Sequence, residues 1–135
     1  MNDERVSQIL RQAQTVAVVG LSDRPWRASH GVSRYLQSAG YRIVPVNPNI
    51  QESLGEPSLS CLEDSTDPVD VIDVFRRTEF VNELVDAAVQ SGAKLFWMQQ
   101  GIRNARSAGL LREAGLEVVE DRCLMVEHMR LLGRV

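Results

Sequence analysis

TVAVVGLSDRPWR, residues Thr15–Arg27, decides how the rest of this chain reads. Val16, Ala17, Val18 and Val19 form an apolar run without polar alternation, the pattern of a strand buried on both faces of a parallel sheet. The run stops at Gly20 and passes through Leu21, Ser22, Asp23, Arg24 and Pro25, and a helical pattern starts near Ser29. A strand that ends in glycine and opens a helix through a polar loop directs backbone N–H groups at a point where an anion can sit. The expected ligand therefore carries phosphate.

Working outward, Val6, Ile9, Leu10 and Ala13 recur at helical spacing and predict an amphipathic helix from Asp3 to roughly Gln14. After the Ser22 loop, Val32, Tyr35, Leu36 and Ala39 repeat that spacing, and Gly40 closes the helix. Tyr41 to Val46 reads as a second strand, at an edge or bulged because Pro45 cannot donate to a ladder. Asn47-Pro48-Asn49 turns the chain, and from Ile50 to Pro68 the periodicity is lost. A structureless crossing of that length is unusual, so a short strand near Ser58 and a helical turn near Leu62 are expected within it.

Order returns with Val69 to Phe75, a β-branched run interrupted by Asp70 and Asp73 and followed by Arg76-Arg77. Thr78 reads as the N-cap of a helix carrying Val81, Leu84, Val85 and Ala88 on one face and ending at Gly92. Ala93 to Met98 is the next strand and Gln99-Gln100-Gly101 a turn. A helix from about Ile102 to Ala114 contains Gly109, read as permitting close approach to the sheet. Leu116 to Glu120 is a last strand and Cys123 to Leu132 a terminal helix.

The junctions Ala39-Gly40-Tyr41, Ser91-Gly92-Ala93 and Ala114-Gly115-Leu116 repeat one device, a helix stopped by glycine and followed at once by a strand. That alternation predicts an α/β, doubly wound and mainly parallel sheet of about five strands plus a short edge strand, with helices on both faces. The long crossing after Asn47 reverses the strand order next to the first strand. Ligands bind at such a reversal, beyond the carboxyl ends of the strands, where Gly20, Ser22, Phe75 and Arg76 share one crevice.

The chain has 135 residues, 44% of them hydrophobic, which suits a single domain over residues 1–135. A net charge of -3 argues against general nucleic-acid binding, which needs a basic field. Met1 is followed by Asn2, Asp3 and Glu4 rather than by a basic and then apolar segment, and no apolar run reaches membrane-spanning length. A cytoplasmic protein without a membrane partner is expected. Cys61, Cys123, His30 and His128 are too sparse for a metal site, and reduced structural thiols are the expected state.

A dinucleotide such as NAD is the first candidate ligand, but its G-x-G-x-x-G pattern is broken by Ser22 and Pro25. The acid that would hold the ribose is replaced by Val46-Asn47-Pro48, and no G-K-[ST] of a P-loop follows Gly20. Arg24 and Arg27 in the first loop and Arg76 and Arg77 after the adjacent strand instead suit several phosphates. No nucleophile pairs visibly with a base, and Lys94, the single lysine, begins a strand. His30 reads as a capping or packing residue, Cys123 as a buried thiol and Trp97 as core, while Trp26 covers either an adenine ring or the loop.

The blocks VVGLSDRPWRASHGVSRYL (Val18–Leu36), GYRIVPVNP (Gly40–Pro48), IDVFRR (Ile72–Arg77), AKLFWMQQGI (Ala93–Ile102) and EDRCLMVEH (Glu120–His128) resemble the small single-domain CoA-binding proteins. These are similar in turn to the CoA-binding domain of the succinyl-CoA synthetase alpha subunit. The resemblance implies a Rossmann-like fold binding coenzyme A or an acyl-CoA, with the pyrophosphate at Gly20, Leu21 and Ser22. It implies that Arg27 and the Asn47-Pro48 turn lie toward the adenosine, and that Phe75, Arg76, Gln100 and Gly101 line the remaining cleft. The synthetase's phosphorylated histidine belongs to a further domain, so its ligase activity is not implied. A binding module is the reading; the alternative is an enzyme acting on a CoA thioester or other nucleotide, including a degenerate NAD-type protein.

Overall fold

The computed structural model describes residues 1–133. Helix α1 (Asp3–Gln12) leads into β1 (Thr15–Val19), α2 (Ala28–Ser38) and β2 (Arg42–Val46). The crossing segment holds an antiparallel hairpin, β3 (Glu52–Ser53) and β4 (Glu56–Pro57), then a 3-10 turn at Leu62–Asp64. The chain returns as β5 (Val71–Val74), and a 3-10 stretch at Thr78–Leu84 runs into α3 (Val85–Ser91). β6 (Leu95–Met98), α4 (Ala105–Glu113), β7 (Glu117–Val119) and α5 (Leu124–Leu131) complete it. The main sheet has the order β2-β1-β5-β6-β7 with every ladder parallel. This is the Rossmann-like, doubly wound α/β arrangement, and its order reverses at β1.

Strand alternation divides the core between two faces. Ala17, Val19, Ile72, Val74, Phe96 and Met98 pack with Val81, Val85, Ala88, Ala108 and Leu111 from the α3 and α4 side. Val16, Val18, Val71, Leu95 and Trp97 pack with Val6, Leu10, Val32, Leu36 and Leu124 from α1, α2 and α5. Each fully buried Val, Leu, Ile, Phe or Met side chain among these contributes about 1.5 to 3 kcal/mol. Asp70 fastens the start of β1 from the neighbouring strand, its Oδ2 accepting the N–H groups of Gln14 at 2.9 Å and Thr15 at 3.0 Å.

Several local expectations differ from the structure. Thr78 caps no helix. Arg77 precedes the 3-10 stretch without a side-chain cap, and the Thr78 hydroxyl instead accepts the Arg103 N–H at 3.4 Å. The α4 helix starts at Ala105 rather than near Ile102, because Asn104 caps it through the Ser107 N–H at 3.0 Å. Gly109 makes no close approach: a Cβ there meets nothing within 4 Å. The short strand expected near Ser58 is a separate hairpin, and beside it Leu59 forms a parallel bridge to Val46. Pro45 fits the edge strand because its carbonyl faces outward, accepting the Leu59 N–H at 2.9 Å, so its missing N–H removes no bond to β1.

His128 ties four elements together. The Tyr41 hydroxyl donates to the Leu10 carbonyl at 2.6 Å, so its oxygen accepts from His128 Nε2, 3.1 Å away. Nδ1 is left to accept the Tyr35 hydroxyl at 2.7 Å. Both nitrogens are thus used by a neutral ring, and burial lowers the His128 pKa below 6.5.

Two outcomes follow from this packing. Gly109→Ala should stabilise the protein by about 0.5 to 1 kcal/mol, read as a higher midpoint in chemical denaturation, since alanine lowers the helix cost without a clash. For His128, the unfolded chain binds the proton more readily than the folded one. The stability it contributes is therefore fully present above its ordinary pKa of 6.5 and lost as pH falls through the lowered folded value. Denaturation between pH 7.5 and 5 should reveal this slope in the wild type and a smaller slope in His128→Asn.

Candidate functional site

The β1–α2 turn is built on a close approach. Gly20 has φ +88, and a Cβ on it would lie 2.6 Å from the Phe75 carbonyl oxygen, a contact no side chain tolerates. The turn is held from both sides: Gly20 N–H donates to the Val46 carbonyl and Phe75 N–H to the Val19 carbonyl, each at 2.9 Å. Next along the loop, Ser22 N–H donates to Ser29 Oγ at 3.0 Å, and Ser22 Oγ accepts the Arg24 N–H at 3.0 Å. Asn47 Nδ2 donates to the Leu21 carbonyl at 3.0 Å, and Ser53 Oγ to the Ser22 carbonyl at 2.9 Å. No side chain caps α2, whose positive end opens beside this loop.

Three recesses meet around the turn. The first, of about 460 Å³, is lined by Gly20, Asn47, Pro48, Cys61, Glu63, Arg76 and Glu83, among others. The second, of about 650 Å³, includes Gly20, Ser22, Arg24, Arg27, Ser29, Asn47 and Phe75. The third, of about 580 Å³, includes Val32, Phe75, Arg76, Arg77, Gln100, Ile102 and Cys123. Gly20 and Asn47 are common to the first two, Phe75 to the second and third, and Arg76 to the first and third. The recesses therefore form one extended cleft along the carboxyl ends of β2, β1, β5 and β6. Among the described residues, Arg24, Arg27, Arg76 and Arg77 form no salt bridge. Arg24 lies 6.0 Å from the Trp26 ring centroid and Arg76 5.1 Å from that of Phe80.

Of the residues singled out from sequence, Gly20, Ser22, Arg27, Asn47, Pro48, Phe75, Arg76 and Gln100 line this cleft. Leu21 buries its side chain completely in the core and presents only backbone. Gly101 lines none of the three recesses, and its N–H donates to Asp121 Oδ1 at 2.6 Å. That bond, with the Arg103 guanidinium, lowers the Asp121 pKa below the usual carboxylate range. Trp26 is 75% exposed and Trp97 fully buried, its Nε1–H donating to the Arg122 carbonyl at 2.7 Å. His30 caps nothing: its Nδ1 is buried without a partner. Cys123, read from sequence as a buried thiol, is half-buried and reaches the third recess. Sequence reasoning missed Asn49, Ile50, Glu63 and Glu83, which the crossing segment and the 3-10 stretch bring to the cleft without any motif.

Asp73, two residues before Phe75, is completely buried on β5 and has no partner among the described residues for either carboxylate oxygen. Burial pushes its pKa well above the usual carboxylate range.

Among the described residues, no helix is long and apolar enough to cross a membrane, and no three or more His, Cys, Asp or Glu side chains are grouped to hold a metal ion. In sequence, the chain is 43% identical over 123 residues to the uncharacterized protein YneT of Bacillus subtilis, covering 91% of each. A solved Thermus thermophilus protein, cell-free ID.343, is 44% identical with a TM-score of 0.93, over 98% of this chain and all of that one. Prb, the PH1109 protein redesigned for binding, is 37% identical with a TM-score of 0.95, over 100% of this chain and 95% of its own. Residues 14–129 match the family described as the CoA binding domain, and the chain with this glycine turn and cleft belongs to that family.

Proposed function

We propose that the protein binds coenzyme A, or an acyl-CoA, along the cleft that joins the three recesses at Gly20, Phe75 and Arg76. The observation that carries this reading is the rigid Gly20 turn beside the uncapped start of α2, with unpaired arginines on either side. A pyrophosphate fits against the Gly20, Leu21 and Ser22 turn at the open, positive start of α2, the N–H groups of Gly20 and Ser22 being held by the Val46 carbonyl and Ser29 Oγ. Arg27 and the Asn47-Pro48 turn serve the adenosine end, with its additional phosphate. Phe75, Arg76 and Gln100 line the path of the pantetheine arm, and Gly101 supports that wall through Asp121 rather than by contact. Membership of the family supports the ligand class. The broken dinucleotide pattern at Ser22 and Pro25 separates it from NAD.

Thermal shifts with CoA and NAD at equal concentration test the ligand. CoA at about a hundredfold over its dissociation constant should add roughly 2.7 kcal/mol of stability; a larger shift with NAD overturns the reading. Titration calorimetry tests the geometry. Arg27→Ala and Arg76→Ala should each weaken CoA binding about tenfold to a hundredfold, the loss of one charge-assisted hydrogen bond. Arg5, exposed on α1 and bonded to Gln8 at 3.2 Å, is the control and should leave affinity unchanged as alanine. Arg27→Ala should lose less against dephospho-CoA than against CoA.

A further inference from the structure

The third recess holds a hydrogen-bond donor that the fold itself does not use. Gln99 follows directly on β6, lines that recess and is only 5% exposed. Its backbone N–H donates to the Val74 carbonyl at 3.3 Å, which holds the residue against the end of β5. Its side-chain Oε1 accepts the Leu124 N–H at 3.1 Å, at the start of α5. A backbone N–H can only donate, so the amide orientation is fixed: the oxygen faces α5 and the nitrogen turns away from it. Among the described residues no acceptor bonds Nε2, yet it is not one of the fully enclosed unpaired atoms, which are His30 Nδ1, Ser33 Oγ and the two Asp73 oxygens. The nitrogen therefore reaches accessible surface, and the recess is the surface that Gln99 borders. An almost wholly buried amide with an unused donor, beside the apolar walls of Val32, Phe75 and Ile102, calls for an acceptor brought by a ligand.

Resting on the CoA reading above, we propose that the third recess is an acyl site, at which Gln99 selects an acyl-CoA over free CoA by donating from Nε2 to the thioester carbonyl oxygen. With the adenosine at the end of β2 and the pyrophosphate at β1, the pantetheine arm runs past Phe75 at the end of β5 toward β6, and Gln99 stands at the end of β6. The acyl carbons then lie against Val32, Phe75 and Ile102. Free CoA ends in a thiol, a weak acceptor that leaves the Gln99 donor without a partner. The amide carbonyls of the pantetheine arm are common to CoA and acyl-CoA, so a contact to one of them gives no preference between the two.

The test is titration calorimetry of the whole chain with acetyl-CoA, CoA and S-ethyl-CoA, a thioether that keeps the two-carbon group and lacks the carbonyl. Acetyl-CoA should bind about threefold to tenfold more tightly than either, the share of one neutral hydrogen bond. Infrared difference spectra of acetyl-CoA carrying heavy carbon at the thioester carbonyl give a second readout, and that band should move to lower frequency on binding. Gln99→Met, of similar size and without a donor, should bring acetyl-CoA and S-ethyl-CoA to equal affinity and cancel the band shift. Because the ratio is taken within one variant, a general loosening of α5 leaves it unmoved, and the wild-type comparison stands whether or not the variant folds. Equal affinity of wild type for acetyl-CoA and S-ethyl-CoA, tighter binding of free CoA, or a preference that survives Gln99→Met overturns the proposal alone. Absence of binding by all three ligands overturns the CoA reading beneath it.

Discussion

The absence of a side chain at Gly20 is the constraint on which this structure depends. With φ at +88 and the Phe75 carbonyl where a Cβ would be, β1 can end directly against the end of β5. That contact brings the loop, the start of α2 and the Phe75-Arg76 segment to a common point. A larger residue would have to push β5 and the loop apart, and the three recesses would no longer join. Around it the loop carbonyls are taken by Asn47 and Ser53, so the turn is held by the crossing segment as well as by the strands. The expense of this rigidity is borne locally, and the open helix end remains free for an anion.

The layout of strands and helices was legible because its signals are local. Gly40, Gly92 and Gly115, expected to stop helices, have φ of +107, +78 and +98, and each precedes a strand closely. Pro45 pointed to an edge, and β2 is one. The β3–β4 hairpin was not legible, since its turn places Leu54 at φ 56, a conformation its residue type does not announce. That geometry is held from a distance, by Gln37 Nε2 donating to the Leu54 carbonyl at 3.0 Å. The cleft divides in the same way. Gly20, Asn47 and Phe75 sit at strand ends, which periodicity locates, whereas Glu83 and Cys123 arrive through tertiary packing of segments whose own pattern reads only as helix.

Polar groups inside the α1, α2 and α5 face have been treated in two opposite ways. His128 has a partner for each ring nitrogen and draws Tyr35, Tyr41 and Leu10 into one network. Asp73 and Ser33, buried on the same side, have none. The first arrangement specifies how the helices sit; the second costs stability, on the order of 1 to 3 kcal/mol for an unsatisfied group. Such costs concentrate where a protein works rather than where it is merely built, and Asp73 stands two residues before Phe75, which lines the cleft.

The two margins of the main sheet also have a bearing on how copies of this chain behave together. On β2, the outward carbonyl of Pro45 and the N–H of Asn47 are already engaged by Leu59, and the proline offers no donor. On β7, only three residues long, the Val118 carbonyl accepts Arg112 Nη2 at 3.2 Å. An open parallel sheet would otherwise invite a further strand from a neighbouring molecule. With one border occupied by its own crossing segment and the other shortened and masked by a guanidinium, the sheet resists growing into a polymer, even where the chain is crowded.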